Sequence, residues 1–204
     1  SLRGLSEALG LGPDPERALA PLRAFYRRLD DALSRASAGL ELPCGAGCSD
    51  CCHEAVFVSA PEFLLVAEAL WAWPSDARRS VVEAMGALAR RFEDELELLE
   101  LLEPGPERDE VAARVKFSCP LLDALGRCRV YAARELNART FGQTYDGLRG
   151  TPYGCHRTHA RLRVLGQPEL PDARAWRRAL VASVPGAGAV RVYPWWFARY
   201  AAYF

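Results

Sequence analysis

Four of the chain's seven cysteines and one of its three histidines fall within ten residues, CGAGCSDCCH at 44–53. Soft thiolates at such density suit zinc or iron–sulfur chemistry and disfavour calcium and magnesium, which take oxygen ligands. The spacing is Cys44-x3-Cys48-x2-Cys51, with Gly45 and Gly47 between the first two sulfurs. Glycine turns of this kind let nearby side chains converge on one point. A mononuclear zinc site takes four ligands with Zn–S bonds of about 2.3 Å. A cubane cluster accepts four thiolates around a wider cage. Spacing alone does not separate Zn2+ from a [4Fe-4S] cluster.

Cys51 and Cys52 are adjacent, and an extended backbone would send their side chains to opposite sides. One would then serve the site and the other the core or a second metal, and the sequence leaves open which. Cys119 and Cys128 flank a turn in FSCPLLDALGRCRVY, 117–131, and Cys155 precedes His156 at the end of a loop-rich stretch. Seven cysteines with one histidine, His53 or His156, make eight ligands, enough for two four-coordinate centres; a single centre with spare thiols is the other reading. His156 is the better histidine because of its cysteine neighbour, whereas His159 in RTHARLR falls on a solvated helix face. The triple spacing also matches radical-SAM enzymes, but those place it after the first strand of a β/α barrel, and here it follows a helix. No Ser/His/Asp set, phosphate-cradling glycine loop or paired carboxylates stand out, and a cysteine protease has no use for four clustered thiols.

The elements that carry these residues read as mainly α, a helical scaffold with Cys-rich metal-binding loops and one or two short strands. Asp14-Pro15 caps a helix whose apolar residues Leu19, Leu22, Phe25, Tyr26, Leu29 and Leu33 share one face. AVFVS at 55–59 predicts a strand, and Ser59 with Glu62 a capping box opening a helix to about Trp73. A long amphipathic helix is expected from about Asp76 to Leu102, then a hinge at EPGPE, 103–107, and helix again to Val115. The stretch 131–139 is helix-like and 140–156 reads as loop. Asp172 caps a helix to about Val184, and VRVYPWWFARYAAYF closes as a short strand and an aromatic helix, read first as docked on the core and otherwise as a partner-binding surface. A single domain over residues 1–204 is expected. It comprises a helical N-terminal segment (1–43), a cysteine-cluster region (44–156) bearing a helical insertion at about 76–115, and a helical C-terminal segment (157–204).

Half of the residues are apolar, a quarter are charged, and the formal net charge is zero. No basic excess points to nucleic acid or an anionic membrane. No signal-like segment is evident, and no apolar run approaches the roughly 18 residues a bilayer span needs. The expectation is a cytoplasmic protein, where clustered thiols serve as metal ligands or redox groups rather than disulfides. The odd number of cysteines agrees, since pairing would leave one over.

CGAGCSDCCHEAVFVSAPE followed by CPLLDALGRCRVYAAR resembles the YkgJ-type cysteine-cluster family (CxxCxxCC), described as zinc- or iron-chelating proteins and including bacterial flagellin lysine methylases. The shared features are a Cys-rich loop ending in Cys-Cys, a short strand with a Pro/Glu helix start, then Cys-Pro, Gly-x-Cys-x-x-Tyr and an Arg three residues after the Tyr. The resemblance spans about 44–156 and implies metal binding at Cys44, Cys48, Cys51, Cys52, Cys119 and Cys128, with Cys155 at a late cysteine position. This chain departs from the family in RELNAR, where Glu135 stands for proline and Ala138 for cysteine. Cys155 or His156 would compensate for the missing thiol.

The expected function is therefore a metal-binding cysteine-cluster protein whose iron–sulfur cluster or zinc ties the 44–52 loop to 117–155. The alternatives are an enzyme or enzyme subunit in protein or peptide modification, with a protein or peptide substrate or a redox partner, and an interaction module with a structural metal.

Overall fold

In the computed structural model, which describes residues 1–204, a helix opens the chain (α1, Leu2–Ala8) and a 22-residue helix follows (α2, Pro15–Ala36). Asp14 caps α2 as expected, its Oδ1 accepting from Arg17 N at 3.2 Å. The predicted face of α2, from Leu19 to Leu33, is buried throughout. The cysteine loop then leads into a 3-10 turn at Asp50–His53, a strand β1 (Phe57–Ser59) and helix α3 (Ala60–Trp71).

Glu62 explains why α3 begins where it does. One carboxylate oxygen, Oε2, accepts from Ser59 N at 2.8 Å and Ser59 Oγ at 2.6 Å, satisfying the helix start. The other, Oε1, accepts from Tyr26 Oη at 2.7 Å and from Leu136 N at 2.8 Å. A side chain only 1% exposed thus joins α2, α3 and the start of the helix that follows the second cysteine segment. Four donors to one carboxylate offset its burial.

The long helix expected from Asp76 to Leu102 is two helices, α4 (Ser75–Arg91) and α5 (Glu93–Leu101). Phe92 breaks them with φ −113° and ψ 30°, turning its ring into a small second core with Leu96, Leu99, Val111, Val115 and Phe117. Periodicity persists across the break, so the sequence concealed it. Helix α6 (Pro106–Arg114) returns over this core after the Pro104-Gly105 hinge. The main core centres on Phe63, which stacks on Trp196 at 5.3 Å and meets Phe197 edge-on at 5.1 Å.

The remaining elements are α7 (Leu136–Thr140), strands β2 (Thr144–Asp146) and β3 (Thr151–Tyr153), α8 (His156–Val164), α9 (Ala173–Ser183), strand β4 (Val190–Val192) and α10 (Tyr193–Tyr200). β1 pairs antiparallel with β4, Phe57 opposite Val192, which draws the C-terminal segment beside the cysteine loop. β2 and β3 form a hairpin within 140–156, where loop was expected. Its strands are three residues each, too short for a visible alternation. The aromatic helix α10 is docked, with Trp196 and Phe197 buried and Trp196 Nε1 donating to Val58 O at 2.8 Å. No helix is long and apolar enough to cross a membrane.

Candidate metal centre

The residues 44–53 fold as two tight turns. Cys48 N donates to Gly45 O at 3.0 Å, and Cys52 N donates to Ser49 O at 2.8 Å as the 3-10 turn begins. A turn of three residues separates successive side chains by about 120°, not the 180° of an extended strand. Cys51 and Cys52 consequently both line the same cavity, which corrects the expectation that they face opposite ways.

The second cysteine segment is fastened to the first by Cys119 N, which donates to Cys52 O at 2.9 Å. Beyond it the chain doubles back: Arg129 N donates to Leu121 O and Asp123 N to Arg127 O, both at 2.9 Å. Asp123 holds the turn, its Oδ1 accepting from Leu125 N and Arg127 N. These backbone bonds hold the carboxyl below its usual range. The doubling brings Cys128 back to the side of Cys119.

Cys48, Cys51, Cys52, Cys119 and Cys128 thereby meet around one cavity of about 40 Å³. All seven cysteines of the chain are free thiols. Burial pushes the Cys119 thiol up to about 12 and raises Cys128. The adjacent Cys52 thiol, followed by burial, raises Cys51. Cys51, Cys119 and Cys128 are thus held toward the neutral thiol, in which form they pack as small apolar groups. No three His, Cys, Asp or Glu side chains stand in a ready-made coordination shell. Four thiolates around one zinc lie about 3.8 Å apart, given the length of a Zn–S bond. Closing the shell would therefore take side-chain rotation and loss of the thiol protons.

Three other residues shape the cavity. Ala138 lines it directly from α7, where a cysteine would add a sixth thiol. Glu135, 3% exposed, also lines it. Its carboxylate accepts from Ala138 N at 2.9 Å and from Tyr193 Oη at 3.1 Å, and burial raises its pKa. Arg134 supplies the cation on the same wall, anchored over the Tyr131 ring at 3.5 Å and through Nε to Tyr131 O at 3.0 Å.

Cys44 and Cys155 lie elsewhere. Their sulfurs flank one hydroxyl, Thr158 Oγ1, at 3.4 and 3.9 Å. Gly142, at φ +80°, makes room for this pair: a Cβ there would stand 1.9 Å from Cys44 Sγ. Burial raises the Cys44 thiol despite its bond to Thr158. His53 and His156 are exposed and do not line the cavity. His159 is half-buried with its Nε2 unpartnered, rather than on an open solvated face. Sequence reasoning singled out all five cavity cysteines but not Glu135 as a wall of the site; its only signal was that it stands where the resembling family has proline. No family model matches the chain, and neither a curated protein nor a solved structure does so.

Proposed function

We propose that this chain is a metal-binding cysteine-cluster protein of the YkgJ type, holding a [4Fe-4S] cluster or Zn2+ through four of Cys48, Cys51, Cys52, Cys119 and Cys128. The observation that carries this reading is the convergence of five free thiols, from segments some seventy residues apart, on one small cavity. The donor set fits such a group. Soft sulfur ligands are in excess of four, and Cys51 and Cys52 are alternatives within one turn. Arg134, on the cavity wall, offsets some of the negative charge that four thiolates would bring.

When bound, the metal would supply either a redox centre or a staple. The chain's own residues do the positioning: the 3-10 turn presents Cys51 and Cys52, the Cys119–Cys52 backbone bond sets the distance between segments, and Glu62 and Asp123 hold the frames behind them. Cys44 and Cys155 stand outside this set and are spare thiols or the start of a second site.

The test is metal and sulfide analysis with a visible spectrum on protein purified without oxygen. Iron and labile sulfide in equal amounts, with broad absorption that bleaches on reduction, identify a cluster; colourless protein with stoichiometric zinc identifies a zinc site. Cys48→Ser is expected to lower both metal content and melting temperature. Metal-free protein that takes up neither iron nor zinc, or unchanged content and melting temperature in Cys48→Ser, would overturn the reading.

A further inference from the structure

Beside the thiol cavity runs a groove of about 940 Å³, between helix α6 with its Pro104-Gly105-Pro106 hinge on one side and α9 with the β2–β3 hairpin on the other. Cys51, Glu54 and Val56 line both the groove and the cavity, so the two share a wall. Five cations line the groove: Arg108, Lys116, Arg149, Arg174 and Arg177. Only two carboxylates, Glu54 and Asp109, do so.

The pairing of those cations is uneven. Arg174 is held by Asp146, at 2.6 Å, and is mostly satisfied. Arg149 reaches the exposed Asp109 at 3.8 Å and the mostly buried Asp146 at 3.9 Å, both long contacts. Arg177 Nη1 lies 3.9 Å from Glu62 but makes no hydrogen bond, because Glu62 Oε2 is already taken by Ser59. Arg108 is the extreme case. It is only 7% exposed and in no ion pair; it lies over the Phe57 ring at 4.2 Å, and Nη2 donates to Val190 O at 3.2 Å while Nε has no partner. Burial, then the like charge of Arg191, lowers its pKa. Only the exposed Glu103, before the hinge, and the exposed Asp109, in the first turn of α6, offset its charge.

A buried guanidinium without a counter-ion is costly, and an anion beside it recovers that cost. Around these charges the walls are apolar, including Val56, Phe57, Phe141 and Val181. We propose that the groove is a binding site for a small organic oxyanion, a carboxylate or phosphate on an apolar body, recognised by Arg108 and Arg177 and screened at the mouth by Arg149. A ligand there would lie against the cysteine site, which makes the groove the place where a substrate or effector meets it. The site is defined by arginines and does not depend on which metal the cysteines hold.

The test is calorimetric titration of the full chain at low salt with phenyl phosphate, with phenylacetate, and with benzyl alcohol as the neutral counterpart. One saturable site is expected for at least one anion, with a dissociation constant on the order of 1 mM or below, and none for benzyl alcohol. Tighter binding of phenyl phosphate assigns a phosphorylated ligand, tighter binding of phenylacetate a carboxylate. Arg177→Met is expected to weaken binding about tenfold. Arg149→Glu, on an exposed loop that keeps the fold intact, is expected to weaken it about fivefold or more. Arg35→Glu on α2 should bind as the parent chain does. Absence of saturation by either anion, equal binding of benzyl alcohol, or unchanged binding in Arg149→Glu would overturn the proposal. Metal content is not the readout, so failure of the metal reading and failure of this one are separable.

Discussion

Cys51 and Cys52 show how much a single backbone choice decides. In a strand they would serve opposite faces; in a 3-10 turn both line one cavity with Cys48, Cys119 and Cys128. Glu135 on the same wall has the opposite character, a carboxyl that burial pushes toward its protonated form. A folded-state pKa above the unfolded one means that the native state holds the proton longer. Stability from this group is then full at low pH and is lost as pH rises from the unfolded carboxyl range through the raised folded value. Glu135→Gln, which keeps the shape and removes the titration, is expected to raise the melting temperature of metal-free protein at pH 7 and leave it nearly unchanged at pH 4. Thermal melts across that range check the sign: equal shifts at both pH values would mean that the carboxylate is not penalised.

The elements around the site are held by contacts that local pattern does not announce. The Cys44 nook exists because Gly142 has a positive φ and no Cβ. Gly142→Ala is expected to destabilise the fold by about 1–3 kcal/mol, from backbone strain and displaced sulfur together. Cys44→Ala in that background should recover some of the loss, a coupling that denaturant midpoints of the double-mutant cycle would measure. Helix α10 carries the other side of the scaffold, with Phe197 wholly buried between Phe63 and Phe204. Phe197→Ala is expected to cost about 3–5 kcal/mol in urea or thermal unfolding. A loss under about 1 kcal/mol would mean that the aromatic terminus does not belong to the core.

At the scale of the whole molecule, the proposed metal acts as a long-range tie. It would join the loop after α2 to the segment before α7, stretches otherwise linked by the Cys119–Cys52 backbone bond and by the frames around Glu62. Binding to the folded chain alone raises the melting temperature by mass action. Chelation is expected to lower it, and restored metal to recover it. The raised thiols give this linkage a sign: Cys119, Cys128 and Cys51 must each release a proton to enter a shell. Metal affinity should therefore climb with pH, by about one log unit per pH unit for each proton displaced. Competition titrations against a chelator of known pH dependence would measure the slope, and a flat profile between pH 6 and 8 would exclude these thiols as ligands.

What the sequence by itself determined was where the thiols lie along the chain and most of the local structure. Asp14 and the Ser59/Glu62 pair mark two helix starts, and the run at 55–59 yields a strand, because capping and residue type act within a few positions. What only the tertiary structure decided was which thiols meet. Cys44, first in the motif, goes to Thr158 and Cys155, while Cys128, far from the motif, joins Cys48 and the Cys51-Cys52 pair. That sorting depends on the side-chain spacing of a 3-10 turn, on one long-range backbone bond, and on a glycine that leaves room for a sulfur. The break at Phe92 was hidden because it is fixed by packing against Val111, Val115 and Phe117, whereas β2 and β3 are too short to show an alternation. The arginine-lined groove exists only where α6, α9 and the hairpin come together.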